Sequence, residues 1–448
     1  MLASSAAIGQ PGPRQPDSFA VPQTAARRAG SALTIDSVLA LASVQHPLVE
    51  AARARVTASR GSRRTAAAFS NPLASYQVEN AAYPGRNSGL PIGTQRETST
   101  FVTLPIEPLF QRGSRIRRAN EEVNAATAEL AVAQQLVAQS AAHAFYDLAT
   151  AQAVHDEADE EYDNYKRLLD YVRTRVKEGA APEGDLLRVQ VEVSRAATVA
   201  VTTNVTVIRA QSQLQLYLGV APRTALSDSL RVTVPRSAVD ERLLSAVESF
   251  VRGLDSRRPE LAVARARSAA AAAGVTYQRT LLLRQLGAMI GNKRIGDVNT
   301  VMAGVTLPIP VFDMNRGEVQ RASAEHVAAE QELLWEARKV NADLNAAHHV
   351  AMQLTRQLAT LEPSFLDLAD ESRRVTNIAY EEGAASLVDV LNATRAYGEA
   401  RLMYFRLLNA QRASLIDLAI AVGAPANTLL SQLTIPERDD SSRRRDDR

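Results

Sequence analysis

The stretch Val305–Val319 reads VTLPIPVFDMNRGEV, and its first five letters also stand at Val102–Ile106. An Arg-Gly pair follows each copy, Arg112-Gly113 and Arg316-Gly317. From there the match runs on at a constant offset of 204. Gly179 meets Gly383 inside the same word, EGAA (Glu178–Ala181 and Glu382–Ala385). Asp185 meets Asp389, Leu187 meets Leu391, and Gly219 meets Gly423. Upstream, HPLVEAARAR (His46–Arg55) resembles RPELAVARAR (Arg258–Arg267) at an offset of 212. Ordered landmarks at a near-constant spacing mark an internal repeat. Two copies are too few for a solenoid, so the chain reads as two duplicated halves.

The organisation that follows has five parts. Residues 1–30, with Pro11, Pro13, Pro16 and Pro22 and no apolar core, are expected to be disordered. A first repeat covers 31–220, a connecting segment 221–242 and a second repeat 243–424. A mixed-charge tail, expected to be solvated, closes the chain over 425–448. No export signal is visible in the opening residues, so an exported protein would carry it outside this sequence.

Each half predicts the same elements. A first helix spans Thr34–Phe69 and Leu243–Arg279, with Thr34 as N-cap. Two strands follow, Leu73–Ala82 and Thr98–Ile106 in the first half, Leu281–Ile290 and Thr300–Ile309 in the second. Pro105 and Pro308 close the second strand of each pair, because proline has no N–H for the ladder. Long helices come next, Gly113–Glu178 and Gly317–Glu382, the second interrupted by Pro363. About 66 residues at ~1.5 Å each span on the order of 100 Å. A Gly-Ala-Ala turn reverses the chain into a return helix, Glu183–Leu218 or Leu387–Val422, ended by Gly219 or Gly423. The fold class is mainly α with a small β part.

The long helices need lateral partners. Leu130, Leu136, Val137, Phe145, Leu148, Leu168, Leu169 and Val172 recur mainly at three or four residues, a coiled-coil-like seam. Alanines on the other faces allow packing on more than one side. In the strands, Tyr76 and Val78 alternate with Ser75, Gln77 and Glu79. Val301, Ala303, Val305 and Leu307 alternate with Thr300, Met302, Gly304 and Thr306. This alternation fits either a half-buried soluble sheet or a barrel wall between lipid and water. Four strands leave raw edges and cannot span a membrane alone.

Composition excludes several classes. Net charge is +2, which gives no electrostatic pull toward nucleic acid. The absence of cysteine excludes disulfides, thiolate metal sites, a cysteine nucleophile and a lipidated cysteine in this sequence. No apolar run reaches the ~18–20 residues of a membrane helix, although a β-barrel gives no such run. Walker, HExxH, GxSxG and GxGxxG motifs are missing, so no enzyme, cofactor or metal site is read. The acidic run His155–Asp163 (HDEADEEYD) reads as a solvated helix face. His348 and His349 point about 100° apart on a helix and cannot chelate one metal together.

From Thr34 to Gly423 the sequence resembles the TolC-like outer membrane efflux family. LPIPVFDMNRGEV (Leu307–Val319) is similar to that family's strand-to-helix junction, and YEEGAASLVDVLNA (Tyr380–Ala393) to its periplasmic tip. NPLASYQVEN (Asn71–Asn80) is similar to the first strand of the heavy-metal (CzcC-like) branch. The resemblance implies a homotrimer whose strands form a 12-stranded barrel in outer-membrane lipid and whose helices form a tunnel through the periplasm. It implies two protein partners, a periplasmic adaptor and an inner-membrane pump of the resistance-nodulation-division type. The duct would be passive, with heavy-metal cations as cargo and drug or protein export as the alternative. A long-hairpin scaffold is the reading from a different class.

The site residues follow from local pattern and from that resemblance. Ser386 and Asp389 have the spacing of a capping box. The resemblance adds that Asp389 lines the closed tip, where threefold symmetry would make a ring of carboxylates. Tyr380 matches the tip tyrosine, and Ala385 stands where some members carry a basic residue. Asp185, the first-half counterpart of Asp389, is either an ordinary acid near a helix N-terminus or a gate contact. Gly179, Gly383 and Ser386 are expected at turns that face the adaptor. The copies differ, Tyr380, Ser386 and Asp389 against Val176, Pro182 and Asp185, so the second hairpin is expected to line the aperture.

Overall fold

The computed structural model describes residues 33–79, 96–106, 108–219, 232, 258–284, 286–295, 298–307, 309–361 and 365–423. Their order is α1 (Ile35–Gln45), α2 (Pro47–Ala67), β1 (Leu73–Glu79), β2 (Glu97–Pro105), α3 (Pro108–Lys177) and α4 (Glu183–Tyr217) in the first half. The second half holds α5 (Pro259–Thr280), β3 (Gly287–Ile295), β4 (Val298–Thr306), α6 (Arg316–Leu361), α7 (Phe365–Glu381) and α8 (Leu387–Ala421). Three expectations lie outside the described residues: the disordered 1–30, the tail over 425–448 and a helix start at Leu243. So does the connecting segment, apart from Val232.

Local chemistry corrects three boundaries. The first helix, expected as one piece, is two. Pro47 has no N–H to continue α1 and holds His46 extended (φ −71°, ψ 135°). His46 then caps α2, its Nδ1 accepting from the Leu48 N–H at 3.2 Å. Thr34 caps α1 as expected, in a reciprocal box with Ser37. The third strand, expected over Leu281–Ile290, starts at Gly287 and runs on to Ile295. Leu281–Leu283 wind instead into a 3₁₀ turn that prolongs α5, so the apolar triplet belongs to the helix end. The first long helix starts at Pro108 rather than Gly113. Pro108 sits at its first position, where the missing N–H costs nothing.

Helix α3 has 70 residues, or about 105 Å of helix. Its second-half counterpart is split, α6 and α7 flanking the segment that contains Pro363. Helices α1, α2, α4, α5 and α8 all pack against α3. Small side chains allow this: Ala141, Ala142, Ala144 and Ala151 are buried together with Phe145 and Leu148. Val38 of α1, Leu214 of α4 and Ile416 of α8 close over that stretch. A second cluster joins Leu261 of α5, Val340 and Leu344 of α6, and Leu415 and Leu418 of α8.

The four strands form one antiparallel sheet in the order β1-β2-β3-β4. Its register sorts the side chains. Tyr76 faces Thr100, Thr100 faces Asn292, and Asn292 faces Val301. Ala74, Val102, Ile290 and Ala303 form the next row, and Leu104, Ala288 and Val305 the one below. Directly paired residues share a face, so the apolar sets of the two halves join on one surface. Ser75, Gln77, Glu79, Glu97, Ser99, Thr103, Lys293, Thr300 and Thr306 occupy the opposite face, where Lys293 pairs with Glu97. Strands β1 and β4 are the two edges.

Gly291 lies opposite Phe101, where a Cβ would sit 2.4 Å from the Thr100 carbonyl oxygen. Gly291→Val should therefore break the pairing of β2 with β3, and with it the link between the halves. Electrophoresis in mild detergent should show the heat-modifiable folded band lost. Gly113 lies inside α3 with open space around its Cα. Gly113→Ala should stabilise the same fold by about 0.5–1 kcal/mol.

Candidate functional site: the hairpin tips

The α3–α4 and α7–α8 hairpins end in matching turns. Gly179 and Gly383 have φ of +74° and +77°, which a Cβ would oppose. The Gly179 and Gly383 N–H groups donate to Val176 and Tyr380 carbonyls, and Ala180 and Ala384 reach back to Arg175 and Ala379. Free helix-end carbonyls are thus satisfied by the turn itself. Both glycines are exposed.

Helix α8 opens on the capping box that the spacing predicts. Ser386 Oγ accepts from the Asp389 N–H at 3.3 Å. Asp389 Oδ2 accepts from the Ser386 N–H at 3.0 Å and from its hydroxyl at 2.7 Å. The Ser386 hydroxyl, helped by its N–H, holds the exposed Asp389 carboxyl below the usual carboxylate range. The group therefore stays ionised as pH falls. In the first copy Pro182 takes the N-cap without a side-chain bond. Asp185 is half-buried, with Arg188 at 3.5 Å.

Tyr380 is only 7% exposed, in a cluster drawn from both hairpins. Tyr165 and Val172 of α3, Val189 of α4, and Leu387 and Val390 of α8 surround it. The Tyr171 ring meets it edge-on at 6.0 Å, and the Arg175 guanidinium lies 5.5 Å from its centroid. Burial raises the Tyr380 phenol pKa, opposed by Arg175 and assisted by Asp185. Tyr380, Asp185 and Arg175 therefore meet at one join between the hairpins, while Asp389 stands on the exposed side. Arg175 was missed in the sequence because attention fell on Ala385 of the second copy. The cation at this tyrosine comes from the other hairpin.

Farther from the tips the acidic run departs from a solvated face. Asp156, Asp159, Glu160 and Asp163 are exposed, but Glu157 is 5% exposed. Arg401 of α8 reaches across, 2.8 Å from Glu157 Oε2 and 2.9 Å from Glu160 Oε2. Arg395 of α8 pairs with Glu192 of α4, and Arg195 of α4 bridges Glu192 and Glu161. Charged groups thus tie the hairpins together above the tips. Among the described residues no group of three or more His, Cys, Asp or Glu could hold a metal ion. No described helix is long and apolar enough to cross a membrane.

The sequence pattern of the family described as outer membrane efflux protein matches residues 38–220 and 252–424. The chain belongs to that family. This efflux protein is similar to the cobalt-zinc-cadmium resistance protein CzcC of Cupriavidus metallidurans, at 25% identity over 87% of this chain and 90% of CzcC. The nickel-cobalt-cadmium resistance protein NccC of Alcaligenes xylosoxydans xylosoxydans is 28% identical over 68% of this chain and 66% of its own. Among solved structures, the outer membrane protein VceC of Vibrio cholerae shares the fold, with a TM-score of 0.71 at 17% identity. The match covers 88% of this chain and 96% of VceC.

Glu157 gives this efflux protein a pH dependence. Burial pushes its carboxyl up to about 7, with Arg401 opposing and Glu160 and Glu161 adding to the rise. A carboxyl raised above its unfolded value binds a proton more tightly in the folded state. Its stabilising share is full below the unfolded pKa and is lost as pH rises through the folded one. Melting temperature should therefore fall from about pH 5 to about pH 7.5 by an amount that Glu157→Gln removes. Equal slopes in variant and parent would show that Glu157 is not the titrating group.

Proposed function

We propose that three copies of this chain form a passive outer-membrane exit duct of a tripartite efflux system, with heavy-metal cations as cargo. One observation carries the reading: a four-stranded sheet with an apolar face, a polar face and two unpaired edges. Such a sheet is incomplete alone. Its strands alternate in direction, so β4 of one copy can continue antiparallel into β1 of the next. Three copies then close an even-stranded barrel of twelve, apolar outside and polar inside. The helices would continue as a tunnel into the periplasm. The turns at Gly179 and Gly383, with Ser386, would offer the docking surface for a periplasmic adaptor. An inner-membrane pump of the resistance-nodulation-division type would supply the energy.

The cargo reading is supported by the relatives, whose names give cobalt, zinc, cadmium and nickel resistance. At the tip, Asp389 of three copies would form a ring of carboxylates that draws cations and hinders anions. Tyr380 and Asp185 would govern the aperture by holding the second hairpin to the first. Charge that stays on Asp389 at low pH suits this task.

Three outcomes are expected. Protein extracted from outer membranes should have the native mass of a trimer, and a monomer stable without detergent would sink the duct. In planar bilayers Asp389→Ala should lower cation over anion selectivity, and unchanged selectivity would remove Asp389 from the aperture. Deleting the gene should sensitise cells to one or more of the divalent metals named above. Undiminished growth on all of them would turn attention to organic cargo.

A further inference from the structure

The apolar face of the sheet does not end where β4 ends. Val301, Ala303 and Val305 are followed in the same two-residue phase by Leu307, Ile309 and Val311. Leu307 and Ile309 each precede a proline, which keeps the backbone extended. Leu307, Ile309, Val311, Phe312 and Met314 are all exposed, and Phe312 is fully so at 101%.

This exposed stretch is anchored. Asn315 is buried in a left-handed conformation, φ 57°, the one non-glycine residue with positive φ among those described. Its N–H donates to Asp313 Oδ1 at 2.8 Å, and its side-chain amide donates to the Gln278 carbonyl of α5 at 2.7 Å. Arg284 pairs with Asp313 from the other side. The turn is thus tied to the end of α5 while its apolar side chains point away from any described core. Such a surface costs free energy in water unless something covers it.

The first repeat carries the same feature. Phe110, Leu109 and Phe69 are exposed beside the start of α3, and the Arg112 guanidinium lies 4.9 Å over the Phe69 ring. Height decides what covers these residues. On the apolar face the far rows hold Asn292, Arg294 and Asn299. The apolar part of β4, Val301 to Val305, then gives roughly 10–15 Å of height at the usual rise and tilt. A barrel's lipid-facing band is ~25 Å tall and edged by aromatic girdles. The strands alone fall short, and the missing height lies on the helix side.

We infer that Leu307–Met314, with Phe69, Leu109 and Phe110, is an interfacial girdle seated in phospholipid at the acyl–headgroup boundary of the periplasmic leaflet. The inference rests on the barrel reading above. Continuity with the lipid-facing rows favours lipid over a second copy of the chain. The guanidinium groups of Arg112, Arg284 and Arg316 lie on the same segments, which suits phosphate-bearing headgroups.

The test uses the full chain reconstituted in phosphatidylcholine vesicles, with the single tryptophan changed by Trp335→Phe. In that background Phe312→Trp places one fluorophore on the girdle, and Val301→Trp places one in the barrel wall as a control. The expected result for Phe312→Trp is blue-shifted emission, with most intensity lost in vesicles brominated near the headgroup and less lost with deep bromines. Emission typical of water, or blue-shifted emission that no brominated lipid quenches, overturns the girdle. The second pattern would mean that protein covers the position. Val301→Trp separates the two failures. If it is quenched by deep bromines while Phe312→Trp is not, only the girdle falls. If neither is quenched, the barrel reading falls first.

Discussion

A helix of 70 residues has no stability of its own that matches its length. Most helical stability in proteins comes from packing one face, not from propensity. Helix α3 must therefore be supported along its whole course, and the rest of the chain is arranged to do that. Helices α1, α2, α4, α5 and α8 lie on it at different levels. The alanines of its middle stretch let neighbours approach on several sides at once. A thicker core would need larger side chains and would not leave a wall one helix layer deep.

Duplication supplies two such walls with different ends. Both hairpins turn through a left-handed glycine, because the reversal has the same geometry in each. Their return helices start differently, with a reciprocal Ser386–Asp389 box in one and a bare Pro182 in the other. The acid at the matching position is solvated in the second copy and half-buried in the first. Tyr380 is the place where the copies meet, packed on Tyr171 and Arg175 of the opposite hairpin. Higher up, Arg401, Arg395 and Arg195 repeat the tie with charge. The join is thus apolar and aromatic at the end, and ionic along the shaft.

The sheet sets a different condition. Its register lays the apolar residues of four strands on one face and the polar ones on the other, which only makes sense with two different solvents. Pairing of β2 with β3 is also the step that brings residues nearly 200 positions apart into one ladder. Gly291 permits it by leaving room under the Thr100 carbonyl. Helices and sheet meet at the junction held by Asn315, where an extended strand must become a helix within a few residues.

Much of this was legible in the amino-acid order. The repeat, the strand pair in each half, the long helices, their glycine turns and the Ser386–Asp389 box are local in origin. Each depends on periodicity, caps or φ restrictions within a few residues. Breaks at Pro47 and beside Pro363 follow from the missing amide hydrogen of proline, although the first was read too generously. Other features depended on the tertiary structure alone. The shift of β3 toward Ile295 depended on which partners its polar residues could pair with. Burial of Glu157 inside an acidic run depended on Arg401, far away in the chain. The cation against Tyr380 came from Arg175 of the other hairpin. Periodicity reports which residues share a face, but not what stands opposite that face. Sequence by itself therefore determined the elements and their duplication, while packing decided which charges are buried, which edges stay open and where the two hairpins lock.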